Sequence, residues 1–253
     1  MLVLVLFTFA SPQTYALPDE LEVYQDETTK QGQFAVDVIS NYTASGLRKP
    51  STGGLSSSFH LLQLNPDISY GITSNSQIGL QLFSSISLGG NVRVDGSRIE
   101  FLTVPFRPAD EDGDGLFLGA LFEMGHLPRT LSRNNLDAEI FLILGYRIGR
   151  WTFATNPEIN FKVSGNGSSG TGLAAKFKAA YRTDNGYSIG MEHYGDLGQF
   201  HHIGPLNRQS QQTFAVVDFK AKEMGVNLGV GRGWNDYSER WVFKAVVSFP
   251  FGN

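Results

Sequence analysis

The sequence predicts an all-β fold, an antiparallel up-and-down transmembrane β-barrel of about twelve strands. Three observations predict it. Apolar and polar residues alternate with period two through most of the chain, the alternating runs are long, and the connections between them are long and short by turns. Composition agrees: charged residues make up 17% of the 253, below the roughly 25% of ordinary soluble domains. Glycine (29) and phenylalanine (19) are plentiful, as turns and an aromatic surface require, and cysteine is absent, which removes disulfides, thiol catalysis and Cys-ligated zinc. A net charge of -4 offers no basic face for nucleic acid, so nucleic acid is excluded as a partner.

The chain opens with "MLVLVLFTFASPQTYALPDE". The apolar run from Leu2 to Ala10 is too short for a membrane-spanning helix, which needs about 20 residues, and the small-residue site ending at Ala16 predicts a signal peptide over 1–16. No Lys or Arg precedes the run. Residues 17–32 are expected to form a periplasmic N-terminal segment, and 33–251 the barrel.

The strands are expected at 33–44, 58–72, 77–88, 96–106, 115–126, 135–148, 151–164, 171–183, 186–195, 211–222, 225–233 and 239–251. In the first, Phe34, Val36, Val38 and Tyr42 share one face, opposite Asp37 and Asn41. In the second and third, Leu62, Leu64, Ile68, Tyr70 and Ile72 oppose Gln63, Asn65, Asp67 and Ser69, and the apolar set continues through Ile78, Leu80, Leu82 and Ile86. From 136 to 148, Leu136, Ala138, Ile140, Leu142, Leu144, Tyr146 and Ile148 oppose Asp137, Glu139, Gly145 and Arg147. From 151 to 163, Trp151, Phe153, Ile159, Phe161 and Val163 oppose Thr152, Asn156, Glu158, Asn160 and Lys162. Next, Leu173, Ala175, Phe177, Ala179 and Tyr181 oppose Lys176, Lys178 and Arg182, and the last strand sets Trp241, Phe243, Val247 and Phe251 against Arg240, Lys244 and Ser248. Two strands are poorly patterned: between Arg98 and Phe106 the alternation slips, and from Thr213 to Lys222 both faces carry apolar residues. Pro66, Pro105 and Pro157 each delete a ladder donor and are expected at bulges or near the membrane interfaces.

Connections such as "SGLRKPSTGGLSS" and "GDLGQFHHIGPLNRQSQ" alternate with tight ones such as "TSNS", "GR", "TDNG" and "KEMG", as outer loops alternate with periplasmic turns. The exception is "RPADEDGDG". Asp110, Asp112, Asp114 and Gly115 match the start of an EF-hand loop, but position 12 falls on Leu121, prolines precede it and a strand follows. A solvated hairpin is the reading.

Long strands with ionisable residues near mid-strand place the apolar face in lipid and the charges in a lumen. The candidate site is that lining: Glu123, Asp137, Glu139, Arg147, Glu158, Lys162, Lys176, Lys178, Arg182, Glu192, Arg240 and Lys244. Asp37, Asp67, Glu100, Asp218, Arg98 and Lys220 are expected beside them. Barrels of about eight strands are filled by side chains and those of roughly 16 to 18 hold open channels, so about twelve leaves two readings. Opposed acidic and basic walls would orient dipolar solutes in a channel. Alternatively, pairs such as Glu158 with Lys176 would plug a closed barrel that serves as a structural or surface scaffold. A lipid-modifying enzyme would need a nucleophile and base, for which His126 and Ser132 are candidates lacking an orienting third group. His193, Asp196, His201 and His202 form a loose cluster in or beside the longest loop, and no metal or cofactor is expected.

The segments "LPDELEVYQDE", "NPEINF", "GMEHYGDLG" and "GVGRGW...WVFKAVVSF" resemble a family of bacterial outer-membrane barrels described as transporters and associated with meta-cleavage phenol degradation. The resemblance spans most of the chain after residue 16 and implies a porin-like channel for aromatic or other small solutes in a Gram-negative outer membrane. The expected partners are outer-membrane lipid and small-molecule solutes, with no enzymatic activity. Oligomeric state is not legible in the sequence.

Overall fold

The computed structural model describes residues 21–46, 57–87, 89–110, 113–127, 136–164 and 170–251. The expected signal peptide, and Ser132 and Asp112 among the residues discussed above, lie outside them.

Alternation dictates strands, and strands form at nearly every expected place. They are β1 (Phe34–Ser45), β2 (Leu61–Thr73), β3 (Ser76–Ile86), β4 (Val92–Phe106), β5 (Gly115–His126), β6 (Leu136–Ile148), β7 (Trp151–Ser164), β8 (Gly172–Arg182), β9 (Ser188–Gln199), the two-residue β10 (His202–Ile203), β11 (Gln211–Ala221), β12 (Met224–Gly233) and β13 (Trp241–Phe251). A 3-10 turn, Leu206–Arg208, follows β10. The twelve long strands pair antiparallel with their neighbours from β9 through β11, β12, β13 and β1 round to β8, and β8 pairs back onto β9. The ring is closed, and β10 is a short flap on β9 outside it.

The two faces of the ring separate by chemistry. Outward residues such as Ile68, Leu80, Phe101, Leu142, Phe153, Phe177 and Phe243 are exposed, whereas Arg98, Glu123, Lys176, Lys178, Glu192 and Lys244 are buried. A soluble β-sandwich would bury the apolar faces and leave the charged ones in solvent, the reverse of this arrangement.

Local departures have local causes. Against β3, β4 passes from Gly96 to Val94 while β3 passes from Phe83 to Ser84. One residue of β4 is therefore extra, a bulge that moves the outward set from Val92 and Val94 to Ile99 and Phe101 and accounts for the slipped alternation. Pro105 lies at a second irregularity, between the pairs Thr103–Ala120 and Phe106–Leu118. Pro66 and Pro157 instead sit mid-strand, a difference from expectation. They pair with Val38 and Ala175 on one side. On the other, the β2–β3 register breaks off at Gln63–Ser85 and resumes at Asp67–Gln81, and the β6–β7 register breaks off at Phe141–Glu158 and resumes at Leu144–Thr155. The preceding asparagine supplies a substitute each time: Asn65 Oδ1 accepts from the Ser84 N–H at 3.2 Å, and Asn156 Nδ2 reaches the Leu142 carbonyl at 3.5 Å.

Asp110, Gly113 and Asp114 lie at the turn end. The Gly113 N–H donates to the Asp110 carbonyl at 2.9 Å, and Asp114 Oδ1 accepts from the Gly149 N–H of the adjacent β6–β7 turn at 2.7 Å. Asp114 thus ties two hairpins together.

The strand with two apolar faces, β11, turns Phe214 and Val216 inward, where they are almost fully buried. Opposite Phe214 stands Gly231, and a Cβ there would lie 2.4 Å from the ring. Gly231→Ala is therefore expected to cost about 1–3 kcal/mol by overpacking, read as a lower unfolding temperature in detergent. Adding Phe214→Leu to it should recover most of the loss; no recovery would show that the ring is not the obstacle.

Candidate functional site

The lumen holds a strap without regular secondary structure, bent at Asp26. Residues 21–33 lead from the interior of the ring to β1: Leu21, Val23 and Asp26 are buried, and Leu21 and Val23 pack with Tyr24 against inward Leu102, Val104, Phe117, Leu121, Phe141, Ile143, Phe214 and Val242, whereas Glu27 and residues 30–32 are exposed. The sequence reading anticipated a periplasmic segment here and did not anticipate these contacts.

The wall grips the strap along its length. At the turn end, Gly32 N–H donates to the Gly71 carbonyl at 2.8 Å and Gly71 N–H donates to the Gln33 carbonyl at 3.1 Å. Gly71 is required, because a Cβ would lie 2.2 Å from the Lys30 carbonyl oxygen. Thr29 N–H donates to Gln77 Oε1 at 2.6 Å, and the Thr29 and Ser69 hydroxyls are 2.7 Å apart. Arg107 donates to the Asp26 carbonyl and the Thr28 hydroxyl, both at 3.1 Å.

Deeper in, Arg147 grips the Asp26 carboxylate with its two terminal guanidinium nitrogens, Nη1 donating to Oδ2 at 2.6 Å and Nη2 to Oδ1. Asn156 Oδ1 accepts from the Tyr24 N–H at 2.8 Å while its Nδ2 donates to the Tyr24 carbonyl at 3.0 Å. The Tyr24 hydroxyl reaches Glu123 Oε1 at 3.3 Å. The Lys176 ammonium lies 5.3 Å from the Tyr24 ring centre and 4.4 Å from that of Phe141. Furthest in, Lys244 Nζ donates to the Leu21 carbonyl at 2.8 Å.

Two buried ion clusters stand in the wall behind the strap. Arg98 pairs with Glu100 at 3.0 Å, Glu123 at 2.7 Å and Glu139 at 3.7 Å. Lys178 pairs with Glu192 at 3.1 Å and Asp218 at 2.9 Å, and Lys244 pairs with the same Glu192, whose Oε2 also accepts from the Tyr194 hydroxyl at 2.6 Å. Strand assignment polarises the ring. Asp37, Asp67, Glu100, Glu123, Asp137, Glu139 and Glu158 belong to β1 through β7, and Lys176, Lys178, Arg182, Lys220 and Lys244 to β8 through β13. Arg98, Arg147 and Lys162 on the first side, and Glu192, Asp196 and Asp218 on the second, soften the contrast.

Of the candidate residues, Glu123, Asp137, Glu139, Arg147, Lys176, Lys178, Glu192 and Lys244 are buried, and Glu158, Lys162 and Arg182 are half-buried. Glu158 accepts from Asn160 at 3.2 Å. Arg240 departs from expectation. Its side chain is 73% exposed and faces Asp236 at 3.6 Å, because β13 begins one residue later and leaves Arg240 in the loop. Asn156, Tyr24 and Asp26 were missed. The signal was available in the doubly apolar β11, since inward Phe214 and Val216 need an apolar partner that an aqueous lumen does not supply.

The remaining candidates are dispersed. His193 faces outward, its Nδ1 3.0 Å from the Thr213 hydroxyl and its Nε2 3.0 Å from Gln211 Oε1. Asp196 Oδ1 accepts from the Gly198 N–H at 2.7 Å, and His201 packs edge-on against Phe200. Among the described residues, no group of three or more His, Asp or Glu is placed to hold a metal ion. His60 sits at the loop end of the wall, its Nδ1 2.9 Å from the Tyr42 hydroxyl.

No protein-family model matches the chain, and no curated protein matches it. Solved structures do. The chain is similar to the COG4313 outer membrane channel from Pseudomonas putida F1, with TM-score 0.61 and 14% identity over 92% of this chain and 100% of that one. It is similar to the KdgM porin, with TM-score 0.56 and 12% identity over 86% and 99% of the two chains. It is also similar to the NanC porin, with TM-score 0.52 and 10% identity over 86% and 100%. At these identities the likeness establishes the fold, an all-β closed antiparallel barrel of the kind found in outer-membrane channels. Nothing in it carries a link to phenol degradation.

The grip of Arg147 on Asp26 makes a specific demand. Arg147→Met removes the partner of a buried carboxylate, a loss of about 3–5 kcal/mol if Asp26 stays in place. The strap is therefore expected to let go, seen as proteolytic cleavage within 21–33 in detergent while the barrel keeps its heat-modifiable migration on gels. Unchanged resistance to protease would show that the ion pair does not hold the strap.

Proposed function

We propose that the protein is an outer-membrane channel for passive diffusion of small solutes, resting with its own strap docked in the lumen. One observation carries the reading: a closed ring exposes apolar side chains outward and buries ion pairs within, around a segment held by polar contacts. A hydrocarbon surrounding accounts for the outward face, since water would not. Aromatic girdles fit the two interfaces. Tyr146, Trp151, Phe153, Tyr181 and Tyr187 crowd the turn end, with Trp151 and Tyr181 rings 5.1 Å apart. Tyr42, Trp234 and Trp241 stand at the loop end, Arg232 lying 5.4 Å from the Trp241 ring centre.

The polarised lumen favours dipolar solutes over simple ions of one sign, because the paired charges leave a transverse field rather than a net one. The aromatic rings of Tyr24 and Phe141 beside Lys176 also suit aromatic solutes. The KdgM porin has been solved in complex with oligogalacturonate, which supports a small-molecule solute for a barrel of this shape. The similar solved structures are channels and porins, which supports a channel over an enzyme.

Conductance tests the reading. In planar bilayers the unaltered protein should pass current in rare openings, and Tyr24→Ala/Asp26→Asn, which loosens the strap at two points, should raise the mean current several-fold. Absence of current in both proteins would favour the scaffold reading.

A further inference from the structure

The strap is recognised largely through its main chain. Asn156 presents a donor and an acceptor to the two backbone groups of one residue, Tyr24, at 3.0 and 2.8 Å, as a neighbouring strand would. Lys244 takes the Leu21 carbonyl at 2.8 Å, and Arg107 the Asp26 carbonyl at 3.1 Å. Such contacts read an extended backbone and are indifferent to its sequence. Two side-chain pockets add selectivity. One holds the Tyr24 ring beside Phe141 and Lys176, with Glu123 at its hydroxyl; the other is the Arg147 fork on the Asp26 carboxylate. The pockets lie two residues apart along an extended chain, about 7 Å.

We propose that this lumenal cradle is a peptide-binding site. Its ligands are short extended peptides with an aromatic residue followed two positions later by an acidic one, and the strap is a tethered resident that they displace. That such peptides are the channel's solutes rests on the reading given above. Sugars and simple ions have no N–H and C=O pair spaced to meet Asn156, so they gain nothing from the groups that hold the strap. Tethering sets the threshold, because a covalently attached competitor acts at an effective concentration of about millimolar. A free peptide therefore binds weakly while the strap is intact and well once it is loosened.

The test is calorimetric titration of detergent-solubilised full-length Tyr24→Ala/Asp26→Asn with the peptide Leu-Glu-Val-Tyr-Gln-Asp-Glu. One peptide should bind per chain, and the unaltered protein should bind at least about tenfold more weakly because its strap competes. Methylating the tyrosine amide nitrogen of the peptide, or introducing Asn156→Ala into the protein, should weaken binding by about fivefold or more, the worth of one lost hydrogen bond. If the double variant does not fold to a heat-modifiable barrel, Tyr24→Ala alone is titrated instead. No binding, or binding indifferent to the methyl group and to Asn156→Ala, overturns the proposal. Bilayer recordings on the same protein separate the two claims. Current without peptide binding leaves the channel and removes the peptide site, whereas peptide binding without current leaves the site and removes the channel.

Discussion

In the outer-membrane setting proposed above, hydrocarbon offers no hydrogen-bond partner, and the closure of the ring answers that constraint. A strand edge in such a solvent strands its N–H and C=O groups, so the sheet has to close, and the pairing of β8 with β9 closes it. Closure then makes each strand two-faced, which is why a period of two is so legible along the chain. It also makes mid-strand proline costly. Asn65 and Asn156 each stand immediately before such a proline and bond across the weakened seam, so "NPDI" in β2 and "NPEI" in β7 are one local solution used twice.

Closure explains what the sequence made legible and what it hid. Strand bounds in β5, β6 and β7 were readable to within a residue because their outward residues alternate without interruption. The inward charges of β6, β8 and β9 were readable for the same reason. β4 resisted because a bulge is an insertion into the period, and a count by twos has no way to place it. Arg240 was misplaced because the alternation of β13 extrapolates past the point where the ladder stops. The strap was hidden for a deeper reason. Its contacts join Tyr24 to Asn156 and Leu21 to Lys244, partners more than a hundred residues apart, and no period within either segment reports that they meet.

The strap also changes what the interior is. A lumen lined only by ions would be wet throughout, yet Leu102, Val104, Leu121, Phe141, Ile143 and Phe214 form an apolar patch that Leu21 and Val23 cover. The patch lies within one ring with two ion clusters, so part of the inner wall behaves as a protein core and part as a buried salt-bridge network. Buried ion pairs contribute little net stability but are costly to break on one side. Arg98 among three glutamates and Glu192 between two lysines therefore fix the wall's shape, and the strap docks against a rigid surface.

Why the strap is held by polar contacts rather than by apolar packing alone is a question of magnitude. Each hydrogen bond to the strap is worth about 0.5–1.5 kcal/mol net, because water competes for the same groups once the strap is released. Ordering each residue of the strap costs about 1–2 kcal/mol of backbone entropy. The two are of similar size, so docking rests on the remainder, the coverage of Leu21 and Val23 and the Arg147 fork on Asp26. A segment held by a small difference between large terms can leave and return without disturbing the ring around it. A plug made of wall ion pairs cannot, since opening it would leave buried charges unpaired in the wall itself.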